Sequence, residues 1–172
     1  MEKNIIKIIL LGESGVGKSS LLNRFCSGDM GDGYYTCNVN YYTKNMKVNE
    51  KNYECYLWDT PGAERLRNLT KIFIRDSNIV VLVYDTTKKR SFLELQYWLD
   101  SVIDLLGKNA FLVLVGNKAD LFEYEEIREE TGRKFAEIIK AKFSLVSAKS
   151  NYPQWNNFFE NTIKEYIINR EK

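Results

Sequence analysis

Short apolar runs alternate along the chain with longer segments in which apolar residues recur at helical spacing. Runs of about four to eight Val, Ile and Leu residues are typical of strands that are covered on both faces. Their alternation with helices predicts a parallel, doubly wound α/β sheet, whose ligand binds beyond the carboxyl ends of the strands. The predicted strands cover residues 5–12, 53–60, 78–85, 111–117 and 143–148.

A further strand and five helices complete the predicted topology. Residues 43–48 alternate polar and apolar side chains before the turn-like NEKN, which indicates an antiparallel edge strand that turns into the strand beginning at Tyr53. Near the start of the third helix, Ser91 and Glu94 have the spacing of a capping box. The predicted helices cover residues 18–26, 64–75, 91–106, 125–140 and 155–168.

The composition predicts a single globular domain over residues 1–172. Apolar residues make up 44% and charged residues 28% of the chain, both ordinary values. A net charge of +2 argues against a broad basic surface, so we expect no nucleic-acid partner. The cysteines, Cys26, Cys37 and Cys55, are too dispersed for a disulfide framework or a zinc site, which favours a reducing, intracellular setting.

Neither end of the chain reads as a targeting signal. No apolar run is long enough to cross a bilayer, and the opening MEKNIIKIIL is short and interrupted by Lys7. The end IINREK contains no cysteine that could be prenylated. We therefore expect a cytoplasmic protein, peripheral to membranes if a lipidated tail or a partner outside this chain provides an anchor.

The segment GESGVGKS fits the phosphate-binding pattern G-x-x-x-x-G-K-[ST] and lies between a predicted strand and a predicted helix. Its glycines let backbone N–H groups curl around an anion, and the helix adds its positive end. We expect Lys18 to reach the β- and γ-phosphates and the Ser19 hydroxyl to ligate Mg²⁺. The alternative is a plain glycine-rich turn. The predicted phosphate contacts are Glu13, Ser14, Gly15, Val16, Gly17, Lys18, Ser19 and Ser20.

Two polar loops at strand ends predict which base is bound. In GNKADL, the Asp120 carboxylate can accept both N1–H and the N2 amine of guanine, a pair of donors that adenine lacks. Asn117 can tie this loop to the phosphate loop, and the stem of Lys118 can lie along the base. In the later SAK, the Ala148 amide can meet guanine O6. The predicted base contacts are Asn117, Lys118, Asp120, Leu121, Ser147, Ala148 and Lys149.

In this order the motifs resemble the Ras-like small GTPases and, among them, the Rab branch. The resemblance rests on GESGVGKSSLLNRF, WDTPGAERLRNL, VLVYDTTKKRSF, GNKADL and SAK, and covers nearly the whole chain. It implies a P-loop NTPase G domain with a mostly parallel six-stranded sheet, one antiparallel edge strand and five flanking helices. It also implies a switch that binds GTP or GDP with Mg²⁺ and hydrolyses GTP to GDP, in vesicle trafficking or signalling.

The resemblance also assigns roles in two switch segments. Thr36 would close onto Mg²⁺ and the γ-phosphate when GTP is bound, Asp59 would hold Mg²⁺ through a water, and the Gly62 amide would contact the γ-phosphate. The implied metal set is therefore Ser19, Thr36 and Asp59, and the implied catalytic set is Lys18, Thr36 and Gly62.

An effector face is implied by an aromatic triad of Tyr41, Trp58 and Phe73 between the switches. The alternative is that Trp58 and Phe73 are simply residues at the edge of the core, and the sequence favours neither. Effector proteins, an exchange factor and a GTPase-activating protein are the implied partners.

Departures from the family pattern fall in both switches. Ala63 replaces the glutamine that orients the attacking water, which predicts slow hydrolysis with binding intact, or a nucleotide-binding interaction module with negligible turnover. Pro61 replaces an alanine, stiffens the entry to the second switch and leaves the Gly62 amide in place.

The first switch, SGDMGDGYYTCN, is rich in glycine and has Asn38 where Rab proteins usually have glycine. No aromatic matches the residue that normally covers the base. Met30 is the nearest apolar substitute, and Tyr34 or Tyr35 could serve if the loop folds differently. We expect loose Mg²⁺ coordination and fast nucleotide exchange, because each glycine raises the entropy lost on ordering. A P-loop kinase of small molecules would need a lid and an acceptor site, which no stretch supplies.

Overall fold

A six-stranded sheet forms the centre of the protein. The structure, a computed structural model, describes residues 4–28, 39–63, 66–150 and 152–171. The strands are β1 (Ile5–Leu11), β2 (Asn40–Val48), β3 (Lys51–Asp59), β4 (Ile79–Asp85), β5 (Phe111–Asn117) and β6 (Lys142–Leu145). They lie in the order β2-β3-β1-β4-β5-β6, and β2 is antiparallel to β3 while the other pairs are parallel. The predicted α/β class and the antiparallel edge strand are confirmed.

Six α-helices flank this sheet in the part of the chain that is described, where the sequence predicted five. The third predicted helix is two helices that meet at Glu94. A short 3-10 helix, Ala119–Tyr124, follows β5. The helices are α1 (Lys18–Ser27), α2 (Arg67–Ile74), α3 (Lys89–Leu93), α4 (Leu95–Leu106), α5 (Glu129–Ile138) and α6 (Tyr152–Arg170).

Local hydrogen bonds explain where two helix starts depart from the prediction. The predicted capping box is wrong, because α3 already begins at Lys89 and the buried Ser91 hydroxyl donates to the Lys88 carbonyl at 2.7 Å. The start of α5 is delayed because the amides of Glu126 and Ile127 both donate to the Thr86 carbonyl, at 2.9 and 3.0 Å.

An apolar core lies on each face of the sheet, because successive strand side chains point to opposite faces. One core joins β1 residues such as Ile8 to α1 and α6. The other joins residues such as Ile9 to α2, α4 and α5. Trp98 and Trp155 are fully buried in these two cores. Among the described residues, no helix combines the length and apolar character needed to cross a bilayer.

Tyr84 gives the core a testable weak point. Its ring is fully buried, and its hydroxyl has no hydrogen-bond partner among the described residues. Burial also raises the pKa of this hydroxyl, so it stays a neutral, unsatisfied donor. We expect Tyr84→Phe to raise the free energy of unfolding by about 1 kcal/mol, measured by urea denaturation.

Tyr53 is the matched control, because its hydroxyl hydrogen-bonds the Glu171 carboxylate. We expect Tyr53→Phe to lower the free energy of unfolding under the same conditions. A loss of stability in Tyr84→Phe would contradict the interpretation, since it would mean that the buried hydroxyl has a partner such as an internal water.

Candidate nucleotide-binding site

The loop between β1 and α1 follows the carboxyl end of a central strand, as the sequence predicts. Residues 12–19 form this phosphate loop. Ser14 and Gly15 are exposed at its rim, Ser20 is half-buried just beyond it, and the Val16 side chain is buried in the core, which leaves only the Val16 backbone for a ligand. Gly17 has a φ of 98°, and a Cβ there would lie 2.2 Å from Asn117 Nδ2. Only glycine fits at this close approach.

Lys18 begins α1 and is buried inside the phosphate loop. Its ammonium donates to the carbonyls of Gly12 at 2.8 Å and Glu13 at 2.9 Å. Burial lowers the pKa of Lys18 to about 8, although the carboxylates of Asp59 and Glu13 oppose the shift. An anion placed against this ammonium would restore its full charge, which is the behaviour of a phosphate-binding lysine.

Ser19 and Asp59, two of the predicted Mg²⁺ ligands, lie side by side at the phosphate loop. The Ser19 hydroxyl donates to Asp59 Oδ2 at 2.6 Å, and Asp59 is buried at the carboxyl end of β3. Among the described residues, no group of three or more His, Cys, Asp or Glu could hold a metal by itself. A hydroxyl and a carboxylate fit Mg²⁺, which binds few protein ligands and completes its shell with phosphate and water oxygens.

Asn117, at the end of β5, connects the phosphate loop to both loops predicted to contact the base. Its Nδ2 donates to the Val16 carbonyl at 2.8 Å, and its Oδ1 accepts from the Ala148 amide at 3.1 Å. The expected tie between the base loop and the phosphate loop is therefore present. The Ala148 amide already has an acceptor, so guanine O6 would have to share it or take it over.

Asp120 and the 147–149 loop are held together by a hydroxyl. Ser147 Oγ donates to Asp120 Oδ1 at 2.6 Å and accepts from the amides of Lys149 and Ser150, at 3.1 and 3.0 Å. The carboxylate is thereby oriented from one side. Leu121 lies in the 3-10 helix and is exposed, with 38% of its surface accessible.

Lys118 has a partner that sequence reasoning missed. Its ammonium pairs with Asp85 Oδ2 at 2.6 Å, and Asp85 is fully buried at the end of β4. The ion pair fixes the end of the Lys118 side chain at the end of β4. An acidic residue that ends the strand next to β5 was the signal available in the sequence.

The second switch begins in contact with the phosphate loop. Gly62 is buried, and a Cβ there would lie 2.3 Å from both the Ser14 nitrogen and the Glu13 carbonyl carbon. Before it, the Thr60 hydroxyl donates to the Leu10 carbonyl at 2.6 Å, which fixes the chain as it leaves β3. The Gly62 backbone therefore lies against the phosphate loop, while the neighbouring Ala63 adds only a methyl group.

Comparisons with known proteins agree with this arrangement. The sequence profile of the Ras family matches residues 7–168. Over 155 residues the chain is 39% identical to the Ras-related protein RabC of Dictyostelium discoideum, which covers 88% of this chain and 79% of that protein. The chain belongs to the Ras family. Within that family of small GTPase switches it falls in the Rab-like branch.

Arg67 adds a contact that the Rab-like motifs alone did not reveal. Its Nη2 lies 2.6 Å from Glu13 Oε1 and 2.7 Å from Glu94 Oε2, and its guanidinium lies over the Tyr97 ring. It therefore joins α2 to the phosphate loop and to α4. The sequence contains one indication of this contact. The Glu13 carboxylate would repel phosphates bound at the phosphate loop, so a nearby cation is expected to offset that repulsion.

The predicted aromatic triad is assembled on the surface next to the second switch. Ring centroids are 5.3 Å apart for Tyr41 and Trp58 and 5.3 Å apart for Trp58 and Phe73. Tyr41 is 56% exposed, whereas Trp58 and Phe73 are half-buried. Trp58 and Phe73 therefore belong to the edge of the core as well, and docking of effectors on the triad stays a prediction.

Several predicted residues of the first switch lie outside the described residues. They are Met30, Thr36 and Asn38. The expected roles of Met30 in covering the base and of Thr36 in ligating Mg²⁺ stay predictions that follow from the family resemblance.

Binding of GDP is expected to take up a proton at Lys18. The pKa of Lys18 in the free protein is about 8, and a bound phosphate raises it. Below pH 8 the Lys18 amine is already charged, so the affinity for GDP is at its full value there. The affinity falls as the pH rises through about 8, because the amine must then take up a proton on binding. Calorimetry in two buffers of different ionisation enthalpy should show uptake of about a tenth of a proton at pH 7 and roughly three-quarters at pH 8.5.

Lys18→Arg serves as the control, because a guanidinium does not titrate in this range. Any GDP binding that this variant retains should involve no proton uptake at residue 18 between pH 7 and 8.5. Equal uptake at the two pH values in the unaltered protein would contradict the expected pKa.

Proposed function

We propose that the chain is a guanine-nucleotide switch that binds GTP and GDP with Mg²⁺ and hydrolyses GTP to GDP slowly. The observation that carries this proposal is the buried Asn117 side chain, which hydrogen-bonds the phosphate loop with Nδ2 and the 147–149 loop with Oδ1. These contacts set a phosphate-binding loop and a base-binding loop at a fixed separation. That arrangement suits a purine nucleotide.

The choice of guanine rests on Asp120. Its carboxylate can accept the paired N1–H and N2 donors of guanine, and adenine would leave those acceptor positions unmatched. The hydrogen bond from Ser147 uses one lone pair of Oδ1, so Oδ2 and the second lone pair of Oδ1 stay available for this pair. Lys118, held by Asp85, would lie along the base.

Ser19 and Asp59 would hold Mg²⁺ together with Thr36. A bound Mg²⁺ would supply positive charge that offsets the negative charge developing during phosphoryl transfer. Lys18 would stabilise the same charge from the side of the phosphate loop. The Gly62 amide, which lies against that loop, would sense whether a γ-phosphate is present.

Ala63 makes the expected hydrolysis slow. Phosphoryl transfer depends mostly on positioning and electrostatics, and a methyl group cannot orient the attacking water. We expect an intrinsic rate on the order of 10⁻⁴ s⁻¹ or below, at or under the slow end of the range for this class. Nucleotide binding and sensing would remain, because neither depends on Ala63.

In the GTP-bound state the switch segments and the triad of Tyr41, Trp58 and Phe73 would recruit effector proteins. An exchange factor and a GTPase-activating protein would act on the same surface, and the activating protein could supply the missing water-orienting group. The setting proposed for this Rab-like switch is vesicle trafficking or signalling, at the cytoplasmic side of a membrane.

A second candidate is an interaction module that uses the nucleotide only as a structural ligand. The Ala63 methyl favours this candidate, because the residue at the position of the family's glutamine has no polar group that could orient a water. The two candidates differ only in turnover, so a sensitive hydrolysis measurement separates them.

Single-turnover hydrolysis of GTP, followed for hours with protein in excess, tests both candidates. We expect slow formation of GDP above the background of Lys18→Ala, and an increase of about tenfold or more in Ala63→Gln, because the amide restores an orienting group for the water.

If no GDP formed above the Lys18→Ala background, the chain would not be a GTPase, and the interaction module would explain the site better. An unchanged rate in Ala63→Gln, with hydrolysis present, would show that orientation of the water is not the slow step.

A further inference from the structure

Arg24, on the last turns of α1, bridges two loops that are far apart in the sequence. Its Nε donates to the Ala148 carbonyl at 2.8 Å and its Nη2 to the Lys149 carbonyl at 3.3 Å. Its Nη1 donates to the Gly28 carbonyl at 3.0 Å. One half-buried guanidinium thus holds the 147–149 loop and the exit of α1 at the same time.

The exit of α1 is the entry to the first switch. Gly28 ends the helix with a φ of 79°, and its amide donates to the Arg24 carbonyl at 3.2 Å. The chain that leads to Thr36 continues from this point. The Arg24 side chain therefore holds the last described residue before the segment that contains Thr36.

The 147–149 loop passes this constraint on to the base-binding residues. Within it, the Ser147 hydroxyl orients Asp120, and the Ala148 amide donates to Asn117. The carbonyls of Ala148 and Lys149 on the other side of the loop are the ones that Arg24 holds. Without Arg24, the loop would keep its contacts to Asp120 and Asn117 but lose these hydrogen bonds to α1.

We propose that Arg24 is a positioning residue for guanine recognition, which orients Asp120 through the 147–149 loop and ties that loop to Gly28 at the end of α1. The proposal rests on the proposed function, because it assumes that Asp120 contacts the base. The guanidinium suits this role since its planar fork reaches several carbonyls in fixed directions, which a lysine ammonium cannot do.

The test compares the release of fluorescently labelled GDP and IDP from the full chain with Mg²⁺ present. IDP lacks the 2-amino group, so it loses one of the two hydrogen bonds to Asp120. We expect Arg24→Met to release GDP about tenfold faster than the unaltered protein and to reduce the ratio of IDP to GDP release rates by at least about threefold. Arg24→Lys should lose most of the same selectivity, and because it keeps the charge and the stem it tests geometry even where the Met variant does not fold.

Lys44→Met is the matched control, because it also removes a cation from the carboxyl end of α1. Lys44 donates to the Phe25 carbonyl at 2.7 Å and lies 3.8 Å from the Phe25 ring centroid, without a described contact to the 147–149 loop. We expect this variant to lower thermal stability and to leave the ratio of IDP to GDP release rates unchanged.

A purely structural role for Arg24 would speed the release of GDP and IDP equally, and that result would overturn the proposal. Unchanged release of both nucleotides in both Arg24 variants would overturn it too. If the unaltered protein held neither nucleotide, the proposed function itself would fail, and the role of Arg24 with it. If the unaltered protein bound GDP normally but the Arg24 variants left the ratio of IDP to GDP release rates unchanged, only the proposed role of Arg24 would be wrong.

Discussion

The site depends on one buried amide, the side chain of Asn117. Its nitrogen donates to the Val16 carbonyl and its oxygen accepts from the Ala148 amide, so three chain segments meet at one residue. Burial makes this arrangement rigid, because breaking either hydrogen bond would leave an unsatisfied polar group out of reach of water. Gly17 has to lack a side chain for the same reason, since a Cβ would occupy the place of the Asn117 nitrogen. The distance between phosphate and base contacts is thus a property of the fold.

Charged and polar side chains around this amide are also held in pairs. Asp85 holds Lys118, Asp59 accepts from Ser19, and Arg67 pairs with Glu13. Each pair lies at or near the carboxyl ends of parallel strands, where the sheet leaves room for a ligand. Buried charges of this kind are unfavourable unless they are paired and hydrogen-bonded. Lys18 is the exception, because its described hydrogen bonds go to carbonyls and burial lowers its pKa although the carboxylates of Asp59 and Glu13 oppose the shift.

The second switch places a backbone contact and a methyl group side by side. The Gly62 backbone lies within contact distance of the phosphate loop, and no side chain could be added there without a clash. Arg67 holds the beginning of α2 against the same loop and against Glu94 on the other side. Ala63, next to Gly62, has no polar group with which to hold water. Under the proposed function, the Gly62 amide would report a γ-phosphate, whereas Ala63 would not help to remove it.

The sequence by itself determined the class of fold, the strand and helix order and the residues of the nucleotide-binding motifs, because these follow from hydrophobic periodicity and from short, contiguous patterns. Tertiary structure decided the contacts between residues from different segments, which short contiguous patterns cannot show. The pairing of Lys118 with Asp85, the contacts of Arg67 and the bridge made by Arg24 all join residues distant in the chain. The late start of α5 has the same origin, since the amides of Glu126 and Ile127 bond to the distant Thr86 carbonyl instead of continuing a helix. Periodicity describes which face of an element is buried, but only the packed sheet decides which polar groups meet at its edge.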